Sequence, residues 1–192
     1  MEIEALREKA RRLKESGLST YEIAADMNIA EETVEWLLGK KEKERKEKDV
    51  KIGWRSIGVY PYRIGLISSI MADIINEEAE KRDLDLDTVV GIAINGIPFA
   101  TLVAEELGLE LAIFRPHADK AGVFSSNYAG VMDKNVVIID DVIGSGKTMR
   151  KAITAIKKEG GKPVLCVTLV NKRAQNDVDG VPLRALIRTR VI

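Results

Sequence analysis

The chain has 192 residues, 45% of them hydrophobic, and its 30 Lys and Arg balance 30 Asp and Glu, so the net charge is zero. This length allows one or two domains with a sizeable core, and the balanced charge excludes a bulk electrostatic attraction to nucleic acid or membrane. A single cysteine and a single histidine exclude an intrachain disulfide and a Cys/His zinc cluster, so no metal site built from a side-chain cluster is expected.

The N-terminus mixes acids and bases without an apolar core, so it does not look like a secretory signal. The longest uncharged run, residues 88–104, contains Asn95, Gly96 and Pro98 and is shorter than the roughly 20 apolar residues that span a bilayer. The sequence therefore predicts a soluble cytoplasmic protein without membrane contact. Cys166 lies in the apolar run 164–170 and is expected to be a buried thiol.

Residues 1–39 have helical periodicity, because apolar side chains recur three and four residues apart from Ile3 to Leu13. Gly17 ends this first helix. Ser19 is a suitable N-cap, with Glu22 three residues later as its capping-box partner, so a second helix should begin there. A break at residues 28–29 precedes a third helix, whose buried face should contain Val34, Leu37 and Leu38.

The stretch LSTYEIAADMNIAEETVEWLL, residues 18–38, resembles the helix-turn-helix of transcriptional regulators. That module places its second helix in the major groove, so the resemblance implies a double-stranded DNA operator. The alternative is a small helical packing or dimerisation unit. Phosphates would repel the glutamates of the third helix, although glutamate can accept a hydrogen bond from cytosine N4. The DNA-binding candidates are Ser19, Thr20, Glu31, Glu32, Thr33, Glu35, Lys40 and Lys41, and Arg11, Arg12, Lys14 and Lys43 are further candidates for phosphate contacts.

Residues 40–50 are almost wholly charged and alternate in sign, with Glu42–Lys46 and Glu44–Lys48 in the favourable i,i+4 order. This pattern predicts a solvated helical linker between an N-terminal domain (1–39) and a second domain (51–192).

From residue 51 onward, apolar strands alternate with helices. Strands are predicted at 88–94, 111–114, 135–140 and 163–170, and helices at 96–108 and 147–161. This alternation predicts an α/β domain with a parallel sheet covered on both faces. In such sheets ligands bind beyond the carboxyl ends of the strands.

The segment VVIIDDVIGSGKT, residues 136–148, ends like a P-loop, but the position that requires the first glycine is Asp141. The glycines instead allow backbone N–H groups to converge at the start of the next helix, which suits one phosphate group. Asp140 and Asp141 precede this loop and could accept hydrogen bonds from vicinal hydroxyls. A loop that binds a phosphate, next to carboxylates that bind two neighbouring hydroxyls, indicates a ribose 5-phosphate. The alternative is an acidic surface turn before a capped helix.

This segment resembles the phosphoribosyl-pyrophosphate (PRPP) motif of type I phosphoribosyltransferases. The resemblance implies that Asp140 and Asp141 hold the ribose hydroxyls and that residues 143–148 hold the 5-phosphate. AINGIP, residues 93–98, is similar to the pyrophosphate loop of the same family, and residues 114–131 occupy the place of its flexible loop. The implied ligand-binding residues are Asn95, Gly96, Arg115, Lys120, Asp140, Asp141, Ile143, Gly144, Ser145, Gly146, Lys147 and Thr148.

Within that family the segment order most resembles orotate phosphoribosyltransferase, whose flexible loop carries several bases that neutralise departing pyrophosphate. Here Arg115 is followed by Pro116, and Lys120 is the sole later base before Gly122. The resemblance therefore favours binding without efficient turnover. An active, Mg²⁺-dependent transferase using Asp140, Asp141, Arg115 and Lys120 remains the alternative.

A helix-turn-helix joined to such a domain resembles the archaeal PyrE-like (GfcR) family of transcriptional regulators of sugar catabolism, and the bacterial purine repressor has a comparable arrangement. The resemblance implies a homodimeric DNA-binding regulator whose type I phosphoribosyltransferase-like α/β domain senses PRPP or a related phosphoribosyl ligand, with Mg²⁺ able to accompany that ligand. Trp36 and Trp54 are expected to be packing residues.

Overall fold

The computed structural model describes residues 2–39, 50–117 and 121–189, and the chain divides into two compact units with the boundary between Gly53 and Trp54. The predicted linker lies outside the described residues except for Val50, which belongs to neither a helix nor a strand. Lys40 and Lys41 also lie outside them. In the part of the chain that is described, no helix has both the length and the apolar character needed to cross a membrane.

The N-terminal unit contains α1 (Glu2–Glu15), α2 (Thr20–Met27) and α3 (Glu31–Leu37). The predicted capping box is confirmed, because Ser19 Oγ accepts the Glu22 backbone N–H at 3.2 Å while Glu22 Oε2 accepts the Ser19 N–H at 2.7 Å. Asn28, with φ of 53°, ends α2 in the left-handed conformation.

The three helices enclose a small core, and its periodicity is largely as predicted. Ile3 differs, because its side chain is 53% exposed and the inner face of α1 begins at Leu6. Polar contacts of α1 with the other helices include the Lys9–Asp26 pair at 2.6 Å and the Arg7 guanidinium, which lies 5.1 Å from the centre of the Trp36 ring. The buried core residues are Ala10, Ile23, Ala24, Met27, Val34 and Leu37.

The second unit alternates strands and helices after two leading helices. In chain order its elements are α4 (Arg55–Gly58), α5 (Pro61–Arg82), β1 (Thr88–Ile92), α6 (Gly96–Leu107), β2 (Glu110–Arg115), β3 (Val123–Phe124), β4 (Asn135–Ile143), α7 (Lys147–Lys158), β5 (Lys162–Asn171), β6 (Asp177–Val178) and β7 (Val181–Arg188).

The sheet has the order β3-β2-β1-β4-β5-β7-β6, in which β2, β1, β4, β5 and β7 run parallel while β3 and β6 pair antiparallel at the edges. The predicted α/β fold is therefore confirmed. The prediction lacked α5 and β7, which are joined where Arg184 Nε and Nη2 donate to Glu78 Oε1 at 2.9 and 2.7 Å.

β4 is longer than predicted and changes the setting of the acidic pair. Its pairing with β5 continues through Val142 and Ile143, because those residues find backbone partners at Val170 and Asn171. Asp141 therefore lies within a strand rather than in the following loop.

The core of this unit lies around the central strands, with every residue of β1 buried. Cys166 lies in the middle of β5 as a free, fully buried thiol, as predicted, and burial raises its pKa to about 12.

Candidate functional site

Four of the predicted ligand residues meet at one edge of the sheet. β1 lies between β2 and β4, so the strand order reverses between β1 and β4, and open α/β sheets bind ligands beyond the carboxyl ends of strands at such a reversal. Asn95 and Gly96 follow β1, while Asp140 and Asp141 lie near the end of β4. Asn95 Nδ2 donates to Asp141 Oδ2 at 3.0 Å, which joins the two segments directly.

The Asp141 carboxyl group is buried and accepts hydrogen bonds from two side-chain donors. The residue is only 5% exposed, and besides Asn95 its Oδ2 accepts a hydrogen bond from Trp54 Nε1 at 2.8 Å. The sequence predicts only packing for Trp54, and no local pattern could reveal a partner 87 positions away. Trp54 is therefore a site residue that the sequence analysis missed.

Asp140 differs from its neighbour in exposure and direction. It is half-buried, and its Oδ1 accepts the Asp141 backbone N–H at 2.9 Å. Successive side chains leave a strand in opposite directions, yet the two carboxyl groups still interact, since in addition to burial the charge of Asp141 and a side-chain hydrogen bond between them both raise the pKa of Asp140. Asp140 is the more exposed residue of the pair.

Both carboxyl groups have a raised pKa, chiefly because burial disfavours their charged form. The negative charge of Asp141 raises the pKa of Asp140 further. Hydrogen bonds from Trp54, from the Val142 backbone and from Asn95 oppose the effect of burial on the pKa of Asp141. Hydroxyl donors from a ligand would stabilise the ionised pair in the same way.

Gly96 allows α6 to begin directly against β4. A Cβ at this position would lie 2.5 Å from the Ile139 carbonyl oxygen and 3.1 Å from the Asp140 Cα, which are both backbone atoms. No side chain fits there without displacement of α6 or β4. The absence of a side chain thus brings Asn95 within hydrogen-bonding distance of Asp141.

The loop between β4 and α7 contains Gly144, Ser145 and Gly146. Gly146 is buried and has φ of 77°, which favours glycine. Ser145 and Lys147 are exposed, and Ser145 Oγ accepts the Lys147 backbone N–H at 3.4 Å. Together with half-buried Thr148 they surround the N-terminus of α7, where backbone N–H groups and the helix dipole favour an anion.

Arg173 adds a cation to this loop and was also missed. Its Nη1 is buried, has no hydrogen-bond partner among the described residues, and lies 2.8 Å from the place that a Cβ of Gly146 would occupy. A buried donor without an acceptor is unfavourable, and phosphate oxygens are strong acceptors for arginine. Asn171 Oδ1 accepts the Arg173 backbone N–H at 2.8 Å and fixes the start of this segment. The local signal was the two consecutive basic residues, Lys172 and Arg173, directly after an apolar strand.

Three other predicted ligand residues are placed differently from this group. Arg115 is exposed at the end of β2, so its backbone is two strands, or about 10 Å, from β4. The Ile143 side chain is packed in the core, so only its backbone could contact a ligand. Lys120 lies outside the described residues, and within the described part of the chain no three His, Cys, Asp or Glu side chains are grouped so as to hold a metal ion.

The predicted DNA-binding residues lie at the starts of α2 and α3. Ser19 and Thr20 begin α2, but the Ser19 hydroxyl already serves as the helix cap. Arg11 and Arg12 on α1 are exposed. Lys14, also on α1, donates from Nζ to the Leu18 carbonyl at 3.1 Å. The candidates on α3 are Glu31, Glu32, Thr33 and Glu35, and all four are half-buried.

Known proteins are similar to this chain over the second unit alone and over its whole length. Residues 54–181 match the family model of the phosphoribosyl transferase domain. The chain is 55% identical to the transcriptional regulator GfcR of Thermoplasma acidophilum over 192 residues, which cover 99% of this chain and 97% of the relative. It is 48% identical to GfcR of Picrophilus torridus, with 99% and 98% covered. The crystal structure of Mycobacterium tuberculosis orotate phosphoribosyltransferase in complex with PRPP covers 71% of this chain and 80% of its own, with a TM-score of 0.56 and 19% identity, and so shares the fold.

Proposed function

Because the chain belongs to the GfcR family of transcriptional regulators, we propose that its helix-turn-helix binds a double-stranded DNA operator and that its phosphoribosyltransferase-like unit binds PRPP or a related phosphoribosyl ligand that changes operator affinity. The proposal of a ligand rests on one observation. The acidic pair, Asn95 and the loop between β4 and α7 lie together at the carboxyl ends of β1 and β4. Coupling requires that the ligand bind the DNA-competent and DNA-incompetent forms with different affinities.

The ligand site has a group for each part of a phosphoribosyl molecule. The 5-phosphate would occupy the N-terminus of α7, where the unpartnered Nη1 of Arg173 gains an acceptor. The ribose hydroxyls would donate to Asp140 and Asp141, whose burial makes such donors favourable. Mg²⁺ would be held chiefly by the pyrophosphate of the ligand, since the described residues supply no side-chain cluster for it.

The DNA-binding half rests on α2 and α3. Arg11 and Arg12 are exposed cations suited to phosphate, and α3 presents acids that could accept hydrogen bonds from cytosine N4. Such modules commonly bind as dimers to two half-sites.

A second copy of the chain is the proposed partner for this symmetry. Tyr62, Leu66 and Ile70 of α5 recur at four-residue spacing and are 76%, 51% and 49% exposed. A groove of about 450 Å³ lies beside them, bordered by Leu102 and Glu105 of α6. Exposed apolar patches of this kind mark interaction surfaces. Leu66→Glu should shift sedimentation from dimer to monomer, whereas Met132→Glu, at another exposed apolar residue (69%), should not.

Selection of bound sequences from random duplex DNA, with and without PRPP and Mg²⁺, tests the function directly. We expect enrichment of one palindrome, with an affinity that changes when PRPP is added. Failure to enrich any sequence would exclude operator binding, and enrichment unaffected by PRPP or ribose 5-phosphate would exclude the sensor.

Charge variants test whether Arg11 and Arg12 contact DNA phosphates, a part of binding that does not depend on base sequence. Arg11→Gln and Arg12→Gln should each lower the slope of log affinity against log salt by about 0.9 if the side chain contacts a phosphate. Lys158→Gln, an exposed change at the end of α7, is the matched control and should leave the slope unchanged.

The transferase alternative uses the same ligand geometry and is distinguished by turnover. The chain should release no pyrophosphate from PRPP and Mg²⁺ with orotate or other bases, because the flexible loop has few bases to stabilise the departing charge. Release at ordinary enzymatic rates would favour the enzyme.

A further inference from the structure

Trp54 contacts one of the two Asp141 oxygens that could accept a ligand hydroxyl. Its indole ring packs against Phe99, with ring centres 5.5 Å apart at 57°, and α4 wraps over it so closely that a Cβ on Gly58 would lie 2.6 Å from the ring. The ring is half-buried, and its Nε1 is directed to Asp141 Oδ2 at 2.8 Å.

The Asp141 oxygen that Trp54 contacts has no free capacity. A carboxylate has about four lone-pair sites on its two oxygens, so two donors saturate Oδ2. Those donors are Trp54 and Asn95. A ribose hydroxyl that uses this oxygen must therefore replace one of them.

Of the two donors, Trp54 is the easier to release. Asn95 is the N-cap of α6, a twelve-residue helix held against β4 by the close approach of Gly96. Trp54 precedes α4, which has only four residues and none that is buried. Trp54 is also covalently attached to Gly53, where the N-terminal unit ends.

We propose that a ribose hydroxyl replaces the Trp54 indole N–H on Asp141, and that this exchange transmits ligand occupancy to the segment leading to the DNA-binding unit. This inference rests on the proposed phosphoribosyl site. It supplies the two states that coupling requires: one with Trp54 bonded to Asp141 and one with Trp54 released.

Trp54 fluorescence tests the exchange in the full-length chain. Trp36→Phe removes the other tryptophan, and calorimetry on the same variant measures binding of PRPP with Mg²⁺ and of ribose 5-phosphate. We expect Trp54 emission to move to longer wavelength with the midpoint found by calorimetry. Inorganic phosphate, which carries no ribose hydroxyl, should leave the emission unchanged. Saturable binding heat without a change in emission would overturn the exchange while leaving the sensor intact, and absence of binding heat for both sugar phosphates would overturn the sensor and the exchange together.

Trp54→Phe tests the coupling in an otherwise wild-type chain. Phenylalanine keeps a ring against Phe99 but removes the competing donor, so PRPP should bind about ten-fold more tightly, the effect of one hydrogen bond to a charged group. The ratio of operator affinities with and without PRPP should fall several-fold toward one. An unchanged ratio with wild-type PRPP affinity would overturn the proposal. If the variant fails to fold, the fluorescence result on native Trp54 decides.

Discussion

Gly96→Ala tests whether the site depends on the close approach of α6 to β4. The new Cβ would lie 2.5 Å from the Ile139 carbonyl oxygen, 0.9 Å inside the 3.4 Å at which ordinary contact begins. Both nearest atoms belong to the backbone of a central strand, so the side chain cannot be accommodated by a rotamer change. Overpacking of this kind costs about 1–3 kcal/mol.

This cost should lower the melting temperature of the phosphoribosyltransferase-like unit by roughly 2–12 °C, since 1 kcal/mol shifts it by about 2–4 °C in a chain of this size. Displacement of α6 would also move Asn95 and Gly96, which are themselves proposed ligand residues, so PRPP affinity should fall. Circular dichroism melting and calorimetric titration measure the two effects.

Gly130→Ala is the matched control, because its Cβ meets no atom within 4 Å and its φ is not positive. It should raise stability by about 0.4–1 kcal/mol through the unfolded state and leave PRPP affinity unchanged. The reasoning would be refuted if the Gly96→Ala and Gly130→Ala proteins had the same melting temperature and the Gly96→Ala protein bound PRPP as tightly as the wild type.

The remaining predictions concern charge and capping. Asp140→Asn should abolish PRPP binding yet raise the free energy of urea unfolding, because burial and the charge of Asp141 disfavour the ionised Asp140 in the folded state; lower stability would contradict this. In the wild type the folded-state pKa of Asp140 exceeds its unfolded value, so the unfolding free energy contributed by this group should rise as the pH falls through the folded pKa, and level off near the unfolded value of about 3.9. PRPP affinity should fall as the pH falls over the same window, because protonated carboxyls accept hydroxyl donors poorly. If PRPP affinity instead rose together with the unfolding free energy, this role of Asp140 would be excluded. Arg173→Met should weaken ribose 5-phosphate binding about ten-fold in calorimetry without loss of stability, since the lost Nη1 donor has no partner in the described chain. Ser19→Ala should destabilise the N-terminal unit by about 1 kcal/mol in helical circular dichroism through loss of the Glu22 cap, and an unchanged melting curve would argue against that cap.

Local patterns predicted much of the fold because the physics that determines those elements is local. The capping box of α2 needs two residues three positions apart, and the end of α6 needs a residue that tolerates positive φ, as Gly108 does. The buried strands are runs of apolar residues that a covered parallel sheet requires. These signals are complete within a few residues of sequence.

The missed elements depend on partners that are distant in the chain. α5 has apolar side chains on more than one side, with Met71 and Ile75 buried but Tyr62 and Leu66 exposed, so its periodicity is blurred. β4 continues past the acidic pair because β5 supplies backbone partners, and the β-branched Val142 and Ile143 after that pair were the local signal for it.

The candidate site was predicted in its acidic pair and loop, where motif residues are consecutive. Trp54 and Arg173 were missed because their contacts to Asp141 and Gly146 join separate segments through the fold. Arg115 was assigned by its place in the motif order, and the structure puts it two strands from β4. Consecutive motifs thus indicated the loops that meet in the candidate site, while Trp54 and Arg173 join it only through the folded structure.

The buried thiol of Cys166 gives the protein a practical property. With its pKa raised to about 12 it has almost no thiolate at neutral pH, and burial shields it from reagents, so alkylating probes should leave it unmodified. A cysteine introduced at an exposed position of α1, such as Glu8→Cys, would then be the one reactive thiol without prior removal of the native residue. Spin labels or fluorophores attached there would report the spacing between the α1 helices of the proposed homodimer as PRPP is added.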